Sequence, residues 1–402
     1  DKLGWGRVRT TLIVSIPLAV ISMALFSTTT ALSVLDTTDA FVNAFGIMAV
    51  ALVAVPLVLV VVTRRPPWVA LGLAVAATAG AFVVPVPTSG DASARVGLVQ
   101  GNVPRAGLDF NAERRKVLDN HVVGTERLAE RHDDLDLVIW PENSADLDPR
   151  DYPASATIVD EAAQAVQAPV LVGAVPVVGD IRYNDVLIWN PGDVSGKTAH
   201  PYYRKHRPVP FAEYVPARSL VRRLTTQVDR VGIDMLPGNG PSTLTVPAVT
   251  QGREVTLAMG ICFEVAYDDA LRTGIKQGGQ AIIIPTNNAS FLDSGEAAQQ
   301  LAQGRVQAVV HGRSVIQAST VGYTAIINPR GEVEQVTRPY TQASLVADVP
   351  LRSSQTVADR LGAAPGIILL AGAGLLVGAG ILSRLRSGRK AAAAAGDRRR
   401  RR

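Results

Sequence analysis

The stretch LAMGICFEVAY, residues 257–267, carries an apolar run into Cys262, the one cysteine of the 402-residue chain, with Glu264 two residues on. With its lead-in, VTLAMGICFE (255–264) reads as a β-strand that lacks the polar alternation of a half-solvated sheet. A strand that is apolar at nearly every position has both faces covered, and helices are the usual cover. The reading of this one stretch therefore points to an α/β architecture. The thiol at its end has two readings, a buried packing group or a nucleophile.

The flanks repeat the pattern. YDDALRTGIKQG (267–278) predicts a helix, QAIIIPTNNA (280–289) a strand and GEAAQQLAQGRVQAVVHGR (295–313) a helix. SVIQAST (314–320) and TAIINPRGEV (324–333) predict strands, the second closing on a Pro-Arg-Gly turn. Upstream, RVGLVQGNV (95–103) reads as a strand and NAERRKVLDNHVVGTERLAERH (111–132) as a helix with one apolar face. LDLVIWPEN (135–143) reads as a buried strand ended by Pro141, ASATIVDEAAQAV (154–166) as a helix and APVLVGAVPV (168–177) as a strand. Strand and helix alternate without an internal repeat, as in a sheet covered by helices. A long segment at 198–240, rich in Pro, Arg and Tyr, reads as a functional or docking loop.

Hydrophobic residues make up 47% of the chain and the mean hydropathy is +0.19. That calls for a search for membrane spans. Residues 11–33, 42–63, 67–86 and 364–383 are uncharged, and each approaches the ~20 apolar residues that a spanning helix needs. The first run also suits a signal peptide, but its length and the two runs behind it favour an anchor. Arg7 and Arg9 precede the first run, Asp36 and Asp39 lie between the first two, and Arg64 and Arg65 follow the second. Threading the chain so that every basic cluster is cytoplasmic puts the block from about 88 to 360 outside. The net charge of +5 is an average of unlike parts. The tail from Arg384 carries a net +8, leaving the rest at −3. A mildly acidic body with a basic tail argues against a nucleic-acid-binding core, and the tail reads as a cytoplasmic stop signal able to touch anionic lipid. The expected organisation is thus 1–90 transmembrane, 91–350 an extracytoplasmic catalytic domain, 351–385 a transmembrane helix and 386–402 a basic tail.

Three apolar strands or their loops deliver a reactive group: Glu142 in LVIWPE, Lys205 in YYRKHRPVPFAEY and Cys262 in LAMGICFE. A carboxylate, an ammonium and a thiol gathered at strand ends form a covalent catalyst. The carboxylate takes the thiol proton, the thiolate attacks an acyl carbon, and the ammonium stabilises the oxyanion and holds the thiol pKa low. His121, His132, His200, His206 and His311 are scattered, which leaves a Cys-His dyad or a zinc site without support. There is no P-loop or dinucleotide fingerprint, so no cofactor is expected.

The order WPE, RKHRPVPFAEYVP, GICFE, PTNNASF resembles the nitrilase superfamily of carbon–nitrogen hydrolases. Within it the chain is most similar to the apolipoprotein N-acyltransferase branch, in an actinobacterial-like form. VGLVQGNVP (96–104), YNDVLIWNPG (183–192) and YRKHRPVPFAEYVP (203–216) carry the likeness, which extends over 94–350. It implies a nitrilase-type α-β-β-α sandwich flanked by transmembrane helices and a Glu142, Lys205, Cys262 triad. By the same likeness Glu213 matches a second acid near the lysine, with a solvated loop carboxylate as the alternative. Glu264 matches another acid of the branch, and Phe263 stands where a tyrosine is common. Asn184 matches an asparagine that orders the site or simply makes a turn. The Phe263 N–H is a candidate oxyanion donor.

The resemblance implies an acyltransferase that takes a fatty acyl chain from a phospholipid onto Cys262. It then passes the chain to the α-amine of S-diacylglyceryl-cysteine in an apolipoprotein. The partners are a phospholipid donor, a lipoprotein acceptor and membrane lipid, and the location is the cell membrane. The rival reading is a membrane-tethered amidase or nitrilase acting on small amides; another is a non-catalytic scaffold. Phe211, Tyr214, Val215 and Leu220 are candidate lining of an acyl pocket or else loop packing. Arg218, Arg222 and Arg223 are a candidate headgroup cluster or else a solvated face. Two departures stand out. The family's SNDAWFG is TNNASFLD here, with Asn288 for the acid and Ser290 for the tryptophan. The branch also implies more spans before the enzyme domain than the three read here.

Overall fold

The computed structural model describes residues 89–103, 114–145, 147–291 and 294–368, with a few isolated positions beyond. The chain divides into two units, Asp1–Ser354 and Gln355–Arg402. In the first, β1 (Ala92–Gln100) pairs in parallel with β2 (Leu137–Ile139), which pairs in parallel with β3 (Val170–Ala174). A small hairpin, β4 (Val177–Val178) and β5 (Ile181–Arg182), stands apart. β6 (Asp185–Trp189) and β7 (Tyr202–Arg204) add antiparallel on the far side of β3. The second sheet holds β8 (Thr243–Ala248), β9 (Arg253–Met259), β10 (Ala281–Thr286), β11 (Val315–Ser319), β12 (Ala325–Ile327) and β13 (Val333–Val336). β14 (Ala343–Leu351) returns to the first sheet, antiparallel to β1. Both sheets are six-stranded, in the orders β14-β1-β2-β3-β6-β7 and β13-β12-β11-β10-β9-β8.

The continuous apolar strands are explained by what they face. In β10, Ala281 and Ile283 point into a core shared by both sheets, with Leu98, Ile139, Leu171, Leu257, Met259 and Ile316. Ile282 and Ile284 point the other way, against Leu271, Ile275 and Leu301. These last residues belong to α4 (Asp268–Lys276) and α5 (Glu296–His311). The first sheet is covered in the same way by α1 (Arg114–Ala129) and α2 (Pro153–Val166), through Leu118, Leu128, Val159 and Val166 against Val138, Val170 and Val172. The layers are α-β-β-α, the expected sandwich. Among the described residues of this unit, the remaining α-helix, α3 (Arg218–Val221), is one turn in the 198–240 segment.

Three predicted strands end early. The 255–264 strand stops at Met259, and Cys262–Ala266 is a 3-10 turn. The Glu264 side chain accepts the Ile261 N–H at 2.8 Å and takes that backbone out of the ladder. The 135–143 strand is confined to β2, since Pro141 has no N–H to give. The 324–333 strand is two strands, parted by a turn in which Gly331 takes φ +76°. Sequence reading missed β6, β7, β8 and β14. Of these, β14 is an edge strand without an apolar run and largely half-buried.

The expected spans at 11–33, 42–63 and 67–86 lie outside the described residues. The fourth, 364–383, is helical from 364 to 368 and is described only at isolated positions after that. No described helix is long and apolar enough to cross a membrane. The second unit opens with α6 (Val357–Leu361), capped by reciprocal Thr356 and Asp359 hydrogen bonds.

Candidate active site

Glu142 lies just beyond β2, Lys205 directly after β7, Cys262 just beyond β9, and Thr286 closes β10. The site is therefore assembled from the ends of strands in both sheets. Glu142 is placed by close packing. Gly173 on β3 passes so near that an added Cβ would sit 2.3 Å from the Pro141 carbonyl and 2.9 Å from Glu142 Cα. Trp140 is fixed beneath it by its Nε1–H donating to Thr125 Oγ1 at 2.9 Å.

The two Glu142 oxygens have separate partners. Oε1 accepts from Asn184 Nδ2 at 2.6 Å and from Lys205 Nζ at 3.3 Å, while Oε2 accepts from the Asn287 N–H at 2.7 Å. Lys205 Nζ also donates to Glu213 Oε1 at 2.7 Å, and Glu213 Oε2 accepts the Val209 N–H at 2.7 Å. Lys205 and Glu142 are 1% and 3% exposed. Burial opposes the lysine charge, but Glu142 and Glu213 outweigh it and push its pKa up, so the ammonium is permanent at neutral pH. Glu213 is thus a lysine partner and not a solvated loop carboxylate, and Asn184 orients Glu142.

Cys262 has φ +54°, a left-handed conformation rare for a side chain with a Cβ, and it is 7% exposed. Such strain fits a residue aimed by its surroundings. The expectation of a depressed thiol pKa is corrected here. Burial, followed by the Glu142 carboxylate, pushes Cys262 from 9.0 up to about 12, and the opposing pull of Lys205 does not prevail. The resting group is a neutral thiol beside a carboxylate.

Glu264, 0% exposed, does not open into the site. Its carboxylate accepts from Tyr203 OH at 2.8 Å, from the N–H groups of His206 and Arg207 at 2.8 and 2.9 Å, and from Ile261 N–H. It ties the cysteine turn to the lysine loop. Phe263 is 41% exposed and stacks edge-on against Tyr267.

Beside the lysine loop, a cleft of about 420 Å³ is lined by His206, Pro208, Tyr214, Met235, Leu236 and Tyr267, among others. Of the residues expected to line an acyl pocket, Tyr214 borders this cleft. Val215 is buried against Val228 and Val231, and Phe211 and Leu220 are exposed. Arg218 and Arg222 are paired with Asp234 and Asp229, so two guanidiniums of the expected headgroup cluster already hold carboxylates. Sequence reading missed the Asn287 amide and Thr286. Both sit in TNNASF, whose polar run directly after an apolar strand was the available signal.

The carbon-nitrogen hydrolase family model matches residues 95–359. The chain is 37% identical over 300 residues to an apolipoprotein N-acyltransferase of Mycolicibacterium smegmatis, covering 71% of this chain and 48% of that protein. It is 30% identical over 250 residues to an apolipoprotein N-acyltransferase of Synechocystis, covering 62% and 45%. The chain spans about half the length of these curated relatives. Among solved structures, an amidase from Nesterenkonia aligns at TM-score 0.45 and 17% identity, over 66% of this chain and 93% of that one.

Proposed function

We propose, for a chain that belongs to the carbon–nitrogen hydrolase family, a two-step acyl transfer through a thioester on Cys262. In the first step Glu142 takes the thiol proton as the sulfur attacks the ester carbonyl of a phospholipid. The tetrahedral oxyanion is stabilised by the Lys205 ammonium and the Phe263 N–H. Collapse breaks the ester C–O bond, and Glu142 returns the proton to the departing lysophospholipid oxygen. In the second step the α-amine of S-diacylglyceryl-cysteine at an apolipoprotein N-terminus attacks the thioester. Glu142 accepts the amine proton and returns it to the departing sulfur. The product is an N-acylated lipoprotein, the last stage of bacterial lipoprotein maturation.

The observation that carries this reading is the Lys205 ammonium held 3.3 Å from Glu142 and 2.7 Å from Glu213, at a neutral thiol on a strained turn. A carboxyl group hydrogen-bonded to the lysine, beside an unionised nucleophile, suits proton transfer during attack. The names of the relatives support acyl transfer to the N-terminus of an apolipoprotein. The four uncharged runs and the basic residues between them support a multi-pass protein of the cell membrane, with the catalytic domain at 91–350 outside, where both substrates lie. Glu213 fixes the lysine, Asn184 the base, and Glu264 the turn that bears Cys262 and Phe263.

Mass spectrometry of the full chain after incubation with labelled phospholipid vesicles tests this. An acyl adduct on Cys262 is expected, and none with Cys262→Ala. Labelling that persists in the variant overturns the mechanism. Ammonia release from small amides, independent of lipid, transfers the reading to an amidase.

A further inference from the structure

Asp185 is a buried carboxylate that the mechanism above leaves unused. It is 0% exposed and stands directly opposite Arg204 in the antiparallel pairing of β6 with β7. Arg204 holds it with two parallel bonds, Nε–H to Oδ1 at 2.7 Å and Nη2–H to Oδ2 at 2.9 Å. Oδ2 also accepts from Arg150 Nη2 at 2.9 Å. Arg150 in turn donates from Nε to Asp148 Oδ1 at 2.9 Å, and Asp148 is buried as well. The Arg204 guanidinium lies 3.8 Å from the centroid of the Tyr183 ring and 5.1 Å from that of Tyr202. Two carboxylates and two guanidiniums thus neutralise one another on this side of the sheet.

The neighbours of this pair in sequence are the residues that hold the base. Asn184 precedes Asp185, Lys205 follows Arg204, and both donate to Glu142 Oε1. Side chains alternate along a strand. Val186 and Tyr203 face the core between the sheets, and Leu187 faces the helices. By that alternation Asn184 and Lys205 share the inner face, and Asp185 and Arg204 the outer one. β7 is three residues long and forms the edge of its sheet. Its ladder, continued by the Lys205 N–H on the Asn184 carbonyl at 2.8 Å, consists of main-chain groups that carry no register information of their own. A slip of one residue turns every side chain to the other face and would carry Lys205 out of the site. On the outer face the fork between Arg204 and Asp185 tells one register from the next, because two parallel bonds set both distance and angle. Arg150 ties that fork to the segment that follows Glu142 in the chain.

We propose that Asp185 is a positioning residue: through its fork to Arg204 and its bond to Arg150 it sets the register of β7, and with it the place of the Lys205 ammonium at Glu142. This rests on the triad of Glu142, Lys205 and Cys262 in the reaction proposed above. Without the Asp185 charge, Arg204 and Arg150 are two like charges with one carboxylate between them, and the edge strand loses its outer-face anchor. Lys205 has little tolerance for that. Its ammonium meets Glu142 at 3.3 Å and Glu213 at 2.7 Å, and it serves an oxyanion that exists only during the reaction. A small displacement therefore lowers the rate more than it lowers stability. The fork matters as well as the charge. Lysine in place of Arg204 keeps the charge, but an ammonium is a point donor and cannot reproduce the planar two-pronged bond.

The test is the p-nitrophenol burst from p-nitrophenyl butyrate in the full chain, with Cys262→Ala as the blank, which reads acylation of Cys262 whatever the natural donor. Burst amplitude counts folded, competent sites, and burst rate reads the chemistry at each. Asp185→Asn is expected to keep the amplitude and slow the rate about 10- to 100-fold, the scale of a misplacement near 1 Å. Arg204→Lys is expected to slow it about 10-fold, the loss of one charge-assisted bond. In a Lys205→Met background no ammonium remains to be misplaced, so Asp185→Asn should slow the residual rate by less than about 2-fold. An Asp185→Asn chain whose amplitude falls at an unchanged rate, or whose rate falls equally in both backgrounds, overturns the proposal. If Asp185→Asn does not fold, an Arg204→Lys chain that bursts at the parent rate overturns it alone. A parent chain that gives the burst but takes no acyl group from phospholipid sinks the acyl-transfer reading and leaves the Asp185 clamp standing. A parent chain without a burst removes the triad and the clamp together.

Discussion

Lys205 Nζ lies closer to Glu213, at 2.7 Å, than to Glu142, whose Oε1 is 3.3 Å away. The tighter partner is thus the carboxylate that takes no proton in the proposed reaction. Glu213 compensates the buried ammonium, and Glu142 keeps its oxygens for Asn184, the Asn287 amide and the thiol proton.

Glu213→Gln leaves Lys205 with one carboxylate. The ammonium is then drawn onto Glu142, and the base is weakened. Acyl-enzyme formation is expected to fall about 10- to 100-fold, the scale of a lost charge-assisted hydrogen bond. Single-turnover labelling of Cys262 measures it, and a rate equal to the parent's contradicts the assignment.

Gly173→Ala tests how Glu142 is placed. The new Cβ meets backbone on every side: the Pro141 carbonyl at 2.3 Å, Asn143 N at 2.7 Å and Glu142 Cα at 2.9 Å. None of these is the movable tip of a side chain, so the Glu142 loop has to shift. Activity is expected to drop by two orders of magnitude or more, since roughly 1 Å of misplacement costs about 100-fold. Stability should fall by about 1–3 kcal/mol from overpacking, read from urea unfolding.

His121 sets an acid limit to the fold. It is fully buried, its Nε2 accepts the Gly101 N–H at 3.2 Å and its Nδ1–H donates to the Val117 carbonyl at 2.7 Å, so it is held neutral. Burial depresses its pKa from 6.5 to about 4. A group with a depressed folded pKa stabilises fully above the unfolded value, and that stability is lost as pH falls through 6.5 toward 4. The loss is expected to approach roughly 3 kcal/mol. Urea midpoints at neutral pH and near pH 4.5 measure it, and His121→Gln, which cannot ionise, should flatten the slope between them.

The layers were legible because burial on both faces leaves continuous apolar runs, as in 280–289 and 168–177. The edge strand β14 was not, because a half-buried edge has no such run. Glu142, Lys205 and Cys262 were legible as reactive groups at strand ends, and the family resemblance added Glu213, Glu264 and Asn184. The sequence carries no trace of which donors a carboxylate will collect. Glu264 therefore read as one more acid of the site, when its partners include three main-chain N–H groups. The thiol pKa was misjudged for the same reason. An adjacent lysine was visible in the motif, while the depth of burial that outweighs it comes from packing between two sheets.

The hydrogen bonds of Glu264 make the cysteine turn and the lysine loop one mechanical piece. The separation of sulfur and ammonium is then indifferent to what occupies the neighbouring cleft. Side chains on the cleft wall such as Tyr214 and Leu236 are then free to change without moving either group. At Tyr203 and Glu264 there is no such latitude, since any slack there is felt at the bond being made.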